Sequence, residues 1–186
     1  MDRLVIKQIL GNEQVTQYYV VSLIGKTLVL LIAPINTIVI SYLTKRKERL
    51  TRSQFGKAVL AGGGVSLVFF VACQIGTPLF VWLFYRNLYE SVKGIVTVVN
   101  LAQILGLFSA FLFILVLTFT DERWQLWIQL AHFCILLVSS VLAARTYGMM
   151  GFAVASLGAN SLRVAAVVIL GIVKAGKDKG DRNADR

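Results

Sequence analysis

The chain has 186 residues, of which 57% are hydrophobic and 15% charged, with a formal net charge of +10 and a mean hydropathy of +0.74. A soluble domain of this size carries about 25% charged residues, and here the apolar residues gather in long blocks, which excludes an ordinary soluble fold. The excess of positive charge falls between those blocks with few aromatics beside it. That placement suits anionic membrane lipids and the positive-inside bias, and speaks against nucleic acid as a partner. Cys73 and Cys134 lie inside apolar blocks, far from any CxxC spacing, and read as small hydrophobic side chains.

In chain order, residues 1–14 are too short and too mixed to span a bilayer and form an extracytoplasmic lead-in. The first spanning helix is expected over about 17–43, roughly 27 residues whose single formal charge is Lys26. A basic loop, TKRKERLTRSQFGK, follows it. The second helix is expected over 56–75, broken at Gly76-Thr77-Pro78 because proline removes a backbone donor and crowds the preceding turn. A short amphipathic piece over 79–89 then lies at the interface. Further spans are expected over 92–119, 124–145 and 150–173, and residues 174–186 form a charged, disordered cytoplasmic tail.

These elements make an all-α, polytopic membrane protein with about five transmembrane helices over 15–173. The loop charges orient it. If the basic loop is inside, the cytoplasmic cations are Lys45, Arg46, Lys47, Arg49, Arg52, Lys57, Arg123, Lys174, Lys177, Lys179, Arg182 and Arg186. Only Arg3, Lys7, Arg86, Lys93 and Arg145 are then outside, which favours N-out, C-in. The three tryptophans and six tyrosines fall near the expected span ends, as an interfacial aromatic belt requires.

Helices in lipid associate through small residues and polar contacts, because burying leucine gains nothing there. Ala102, Gly106 and Ala110 share one face of the third span, Gly151, Ala155 and Ala159 one face of the fifth, and Gly62-Gly63-Gly64 leaves the second nearly bare. Polar residues form a second set of stripes at 100° per residue. They are Tyr18, Ser22, Lys26, Asn36 and Thr37 on the first span, and Gln125, Gln129, His132, Ser139 and Ser140 on the fourth. Ser156, Asn160 and Arg163 line the fifth, and Asn100 and Gln103 sit beside the small-residue face of the third. Tyr18, Ser22, Asn36, Asn100, Gln103 and Asn160 are therefore candidates to line a shared polar interior.

Lys26 and Arg163 fall roughly 14 and 20 Å from the outer ends of their helices at 1.5 Å per residue. A cation at such depth costs at least ~2.5–3.5 kcal/mol on insertion scales, so a compensating partner is expected. No Asp or Glu lies within a spanning block, leaving hydroxyls, amides, water, a segment outside this chain or an anionic ligand. Against the reading of both cations as phosphate ligands stand snorkelling of Lys26 and a structural bond from Arg163 to a carbonyl or to Asn160. Pro34 and Pro78 are candidate hinges, with a simple kink as the alternative. His132 reads as a packed or amide-bonded residue. The sequence holds no HExxH, P-loop or dinucleotide turn and a single histidine, so no metal, cofactor or enzymatic role is assigned.

Four segments in order are similar to the polysaccharide flippases of the multidrug/oligosaccharidyl-lipid/polysaccharide exporter superfamily. MDRLVIKQILGNEQVTQYYV resembles their lead-in to a spanning helix, and APINTIVISYLTKRKE their small-residue and proline stretch before a basic cytoplasmic loop. GTPLFVWLFYRNLYE is similar to a periplasmic segment, and TYGMMGFAVASLGANSL to the start of their last core helix. The resemblance implies the C-terminal half of such an exporter, with N-out, C-in topology, a cationic central cavity and alternating access between two lobes. It further implies a polyprenyl-diphosphate-linked oligosaccharide as substrate, the bacterial inner membrane as location, and a second lobe or subunit as partner. Arg163 and Lys26 would meet the diphosphate. A non-transporting membrane interaction or scaffold protein, or a remnant, is the alternative. A membrane transferase would need an active-site carboxylate in the Glu90 or Asp121-Glu122 loops.

Overall fold

The computed structural model describes residues 2–45, 51–118, 120 and 122–177. Arg46, Lys47 and Arg49 of the basic loop, Asp121, and the tail positions Lys179, Arg182 and Arg186 lie outside the described residues. The described elements are all helical: α1 (Asp2–Leu10), α2 (Asn12–Lys45), α3 (Arg52–Phe84), α4 (Arg86–Val92), α5 (Val96–Leu117) and α6 (Glu122–Lys177). Among the described residues, α3, α5 and most of α6 are long and apolar enough to cross a membrane.

The breaks between helices follow from single residues. Gly11 has φ +91° and Gly148 φ +62°, a left-handed conformation that a Cβ disfavours. Gly11 separates α1 from α2. Gly148 divides α6 into two arms, 122–147 and 149–177, which correspond to the expected fourth and fifth spans. At the other end of the bundle, Thr51 donates its backbone N–H to Gln54 Oε1 at 3.2 Å, one half of a capping box that starts α3.

The expected break at Gly76-Thr77-Pro78 does not occur. The helix α3 runs through Pro78 to Phe84, so the expected interfacial piece over 79–89 is shared between the end of α3 and the short α4. Proline leaves the preceding turn short of a donor, yet spanning helices tolerate it where a neighbour satisfies the backbone. Asn100 of α5 braces that turn by donating its Nδ2 to the carbonyl of Cys73 at 3.1 Å, one residue before the Gln74 carbonyl that Pro78 cannot serve. Pro34 likewise sits inside a continuous α2. The tail also departs from expectation at its start, because the helix continues to Lys177.

The helix α5 forms the centre. Of its most apolar stretch 44% is buried, against 6% for α3 and for α6, which leaves the outward faces of those two to lipid. Val96 and Val99 of α5 join Ile6, Val20, Val21, Phe152 and Ala153 at one end of the bundle. Ile104 and Leu107 pack with Cys73 at mid-height, beside Ile24 and Leu28. Leu112, Leu115 and Val116 meet Phe55 and Val167 at the other end. Outside this core, Leu60, Leu67, Val68 and Ile75 of α3 and Leu126, Trp127 and Leu142 of α6 are exposed. In water so large an apolar exterior would be an aggregation hazard; in a bilayer it is the ordinary lipid-facing surface.

Close approach depends on the absence of Cβ atoms at a few points. A Cβ on Gly62 would stand 2.7 Å from the Phe111 ring, and one on Gly171 2.2 Å from Phe55. The tightest case is Gly151, where a Cβ would meet the backbone oxygen of Ala143 at 2.1 Å. A backbone atom cannot swing aside as a ring can, so this glycine sets how tightly the two arms of α6 fold together. Gly151→Leu therefore lowers stability by about 1–3 kcal/mol, the usual range for overpacking, in reversible unfolding from bicelles. Gly158→Ala, where a Cβ meets open space, leaves stability unchanged or raises it by up to ~1 kcal/mol.

Candidate functional site

The polar groups gather around α5 in three places. The first joins α3 and α5. Asn100 is fully buried; its Nδ2 donates to Cys73 O and to Gln74 Oε1 at 3.0 Å, and its Oδ1 accepts from Thr77 Oγ1 at 3.2 Å. Gln74 passes the relay outward by donating Nε2 to Thr97 Oγ1 at 2.9 Å. All polar atoms of the Asn100 side chain are thereby engaged between helices. Gln74, Thr77 and Thr97 were not among the sequence candidates. The available signal was two polar pairs spaced three apart, Gln74/Thr77 and Thr97/Asn100, at matching depth on antiparallel helices.

The second place joins α5 to both arms of α6. Asn160 donates Nδ2 to the carbonyl of Ala102 at 2.9 Å, while His132 Nε2 lies 3.2 Å from Asn160 Oδ1. Gly106 makes room for the amide, since a Cβ there would stand 3.4 Å from Asn160 Nδ2. His132 is thus the amide-bonded residue that the sequence suggests. Tyr18 and Ser22 are buried as well. Tyr18 sits edge-on to Phe152, centroids 5.2 Å apart, and Ser22 donates to the Tyr19 carbonyl of its own helix at 3.2 Å. Gln103 packs its Cβ where a side chain on Gly25 would be, 2.9 Å from the ideal Cβ position. The Asn36 side chain lies outside the described residues.

Third is Arg163. Its guanidinium stands 5.5 Å from the centroid of the Phe113 ring, and its buried Nε has no hydrogen-bond acceptor among the described residues. The cation is half-buried between α5 and the second arm of α6. Lys26, also half-buried, sends its ammonium the other way, to 5.5 Å from the Tyr18 ring eight residues earlier on α2. Helices α2 and α5 run parallel, with Gly25 beside Gln103. Tyr18 and Phe113 are then roughly 25 Å apart along the axis at 1.5 Å per residue. The structure does not bring the two cations together: one turns toward the start of α2, the other toward the end of α5.

Between the end of α4 and the start of α5, Lys93 pairs with Glu90, three residues earlier, and both are exposed. The hydrogen bond that Lys93 donates to the Glu90 carboxylate, with that group's negative charge, raises the Lys93 ammonium above its ordinary 10.5. Its positive charge is therefore present through neutral pH and is lost only above that value. At the opposite end, Arg52 Nε donates to the Ile172 carbonyl at 3.1 Å, tying the start of α3 to the last turns of α6. Comparison with protein-family models, with curated proteins and with solved structures returned no match.

The Asn100 network makes a measurable claim. An interhelical hydrogen bond in a membrane averages ~0.6 kcal/mol, and Asn100 makes three, so Asn100→Leu lowers stability by about 2 kcal/mol. Ser109→Ala, whose hydroxyl bonds only to the Gly106 carbonyl of its own helix, costs under ~0.5 kcal/mol in the same bicelle unfolding assay.

Proposed function

We propose that the chain is the C-terminal lobe of a membrane flippase that moves polyprenyl-diphosphate-linked oligosaccharide across a bacterial cytoplasmic membrane, acting with a second lobe. The ordered resemblance of four segments supports this reading. So does the supply of five long helices, α2, α3, α5 and the two arms of α6, which the Lys/Arg balance of the loops would orient N-out, C-in. The observation that carries it is Arg163: a half-buried guanidinium among long apolar helices, with an Nε–H group that has no acceptor among the described residues. A planar, permanently charged fork in low dielectric is suited to a phosphate oxygen. Arg163 would hold the diphosphate as the lobes rock, with Pro34 and Pro78 within the helices that bend. Lys26 directs its ammonium toward Tyr18, away from that anion, in this conformation.

A second reading, a non-transporting membrane scaffold, is favoured by a different observation. The amides of Asn100 and Asn160 are spent on neighbouring helices, as expected for a bundle whose polar residues serve assembly alone. The two readings separate on one measurement. With a glycan-bearing polyprenyl diphosphate added to the protein in detergent, flippase function predicts a saturable rise in melting temperature, as binding to the folded state requires. Arg163→Gln abolishes that rise. In a strain lacking its own flippase, co-expression with a second lobe restores surface polysaccharide, and Arg163→Gln reduces it at least about tenfold, one charge-assisted bond being worth that factor. A scaffold shows neither effect.

A further inference from the structure

The outer ends of α3 and α5, with α4 between them, enclose a cavity of about 120 Å³. Its polar wall is Gln74, Thr97, Tyr89 and Lys93, and its remaining lining is Pro78, Val81, Val92 and Val96. The donors here are arranged by the buried network. Asn100 can only donate to Gln74 Oε1, which fixes the Gln74 amide with its Nε2 toward Thr97. The Thr97 oxygen is then occupied as an acceptor, and its own O–H hydrogen remains to be donated. One Gln74 hydrogen is also left over, as are two on the Lys93 ammonium beyond the one given to Glu90. A wall of donors with a cation at its rim selects an acceptor that carries negative charge.

We propose that this cavity binds the phosphate group of an anionic phospholipid, with Lys93 and Thr97 as its ligands. The site rests on the membrane placement of the bundle and is independent of the transported substrate. Its volume equals about four waters' share of the liquid, enough for a headgroup phosphate and too small for a nucleotide. Its surroundings select a lipid source. Leu79 and Trp82 are exposed on α3 beside the lining residues Pro78 and Val81, giving an acyl chain an apolar track below the mouth. Trp82 and Tyr89 place that mouth at headgroup depth, where such rings concentrate.

The test uses the Trp124→Phe, Trp127→Phe protein, whose sole tryptophan is Trp82, in phosphatidylcholine vesicles containing a small fraction of phosphatidylglycerol brominated in its acyl chains. Trp82 fluorescence is expected to be quenched saturably, beyond the level of random lipid mixing. Lys93→Gln and Thr97→Val each weaken that association about tenfold, the value of one bond to a charged group, while Lys57→Gln, exposed at the far end of α3, leaves it unchanged. The Thr97 variant retains the Lys93–Glu90 pair, so its effect is not one of net charge. Displacement by millimolar inorganic phosphate supports the phosphate site and overturns the lipid as its source. Quenching no greater than random mixing, or undiminished in both variants, overturns the site. If uniformly brominated phosphatidylcholine fails to quench Trp82 at all, the membrane placement falls, and the lipid site with it.

Discussion

The cross-helix amide of Asn100, set against the turn of α3 that precedes Pro78, orders this molecule. Asn100 reaches across from α5 to the Cys73 carbonyl in the turn before Pro78. The same amide group also binds Gln74 and Thr77. In hydrocarbon every unsatisfied polar group costs several kcal/mol, so Asn100, Gln74 and Thr77 keep their side chains paired only while α5 stands beside α3 in this register. That register in turn sets Gly62 against Phe111 and Phe55 against Gly171, which brings the second arm of α6 into place. Position along one helix pair thus propagates to a third element.

With α5 enclosed, the remaining helices divide their surfaces between it and the bilayer. Burial of leucine cannot drive this arrangement in lipid, so glycine contacts and amide bonds must hold it. Between them they cover three levels: Gln103 packs on Gly25, Asn160 meets Gly106 and bonds the Ala102 carbonyl, and Asn100 bonds the turn before Pro78. Two of these levels carry an Asn whose amide is shared between helices, a stiff arrangement. Arg163 stands apart from them, half-buried and with an Nε hydrogen unclaimed among the described residues.

Much of the architecture was legible in the sequence, because apolar blocks of spanning length, glycine punctuation and small-residue faces all act locally. The helices over 17–43 and 92–119 were found to within a few residues, and Gly148 marked the turn between the last two. The helix through Pro78 was not legible, since the amide that braces the turn before it, Asn100, lies 27 residues away from Cys73 along the chain. The paired cations failed for a related reason. Backbone depth placed Lys26 and Arg163 in one band, but side chains of that length span more than a helical turn, and the rings that attract them, Tyr18 and Phe113, point them apart. Likewise Tyr18 and Ser22 on the first span and Asn100 on the third looked like the wall of a shared hollow, whereas these residues fill helix contacts. A helical wheel gives the direction of a stripe and says nothing about what occupies the other side.

The hairpin at Gly148 bears on biogenesis. With one left-handed residue between its arms and the Ala143 oxygen against Gly151, there is no linker on which the arms could separate. As paired spans they would leave the translocation channel as a single unit, the leading arm held until its follower is made. Their orientations would then be inherited together, so a charge placed at either end would invert both or neither.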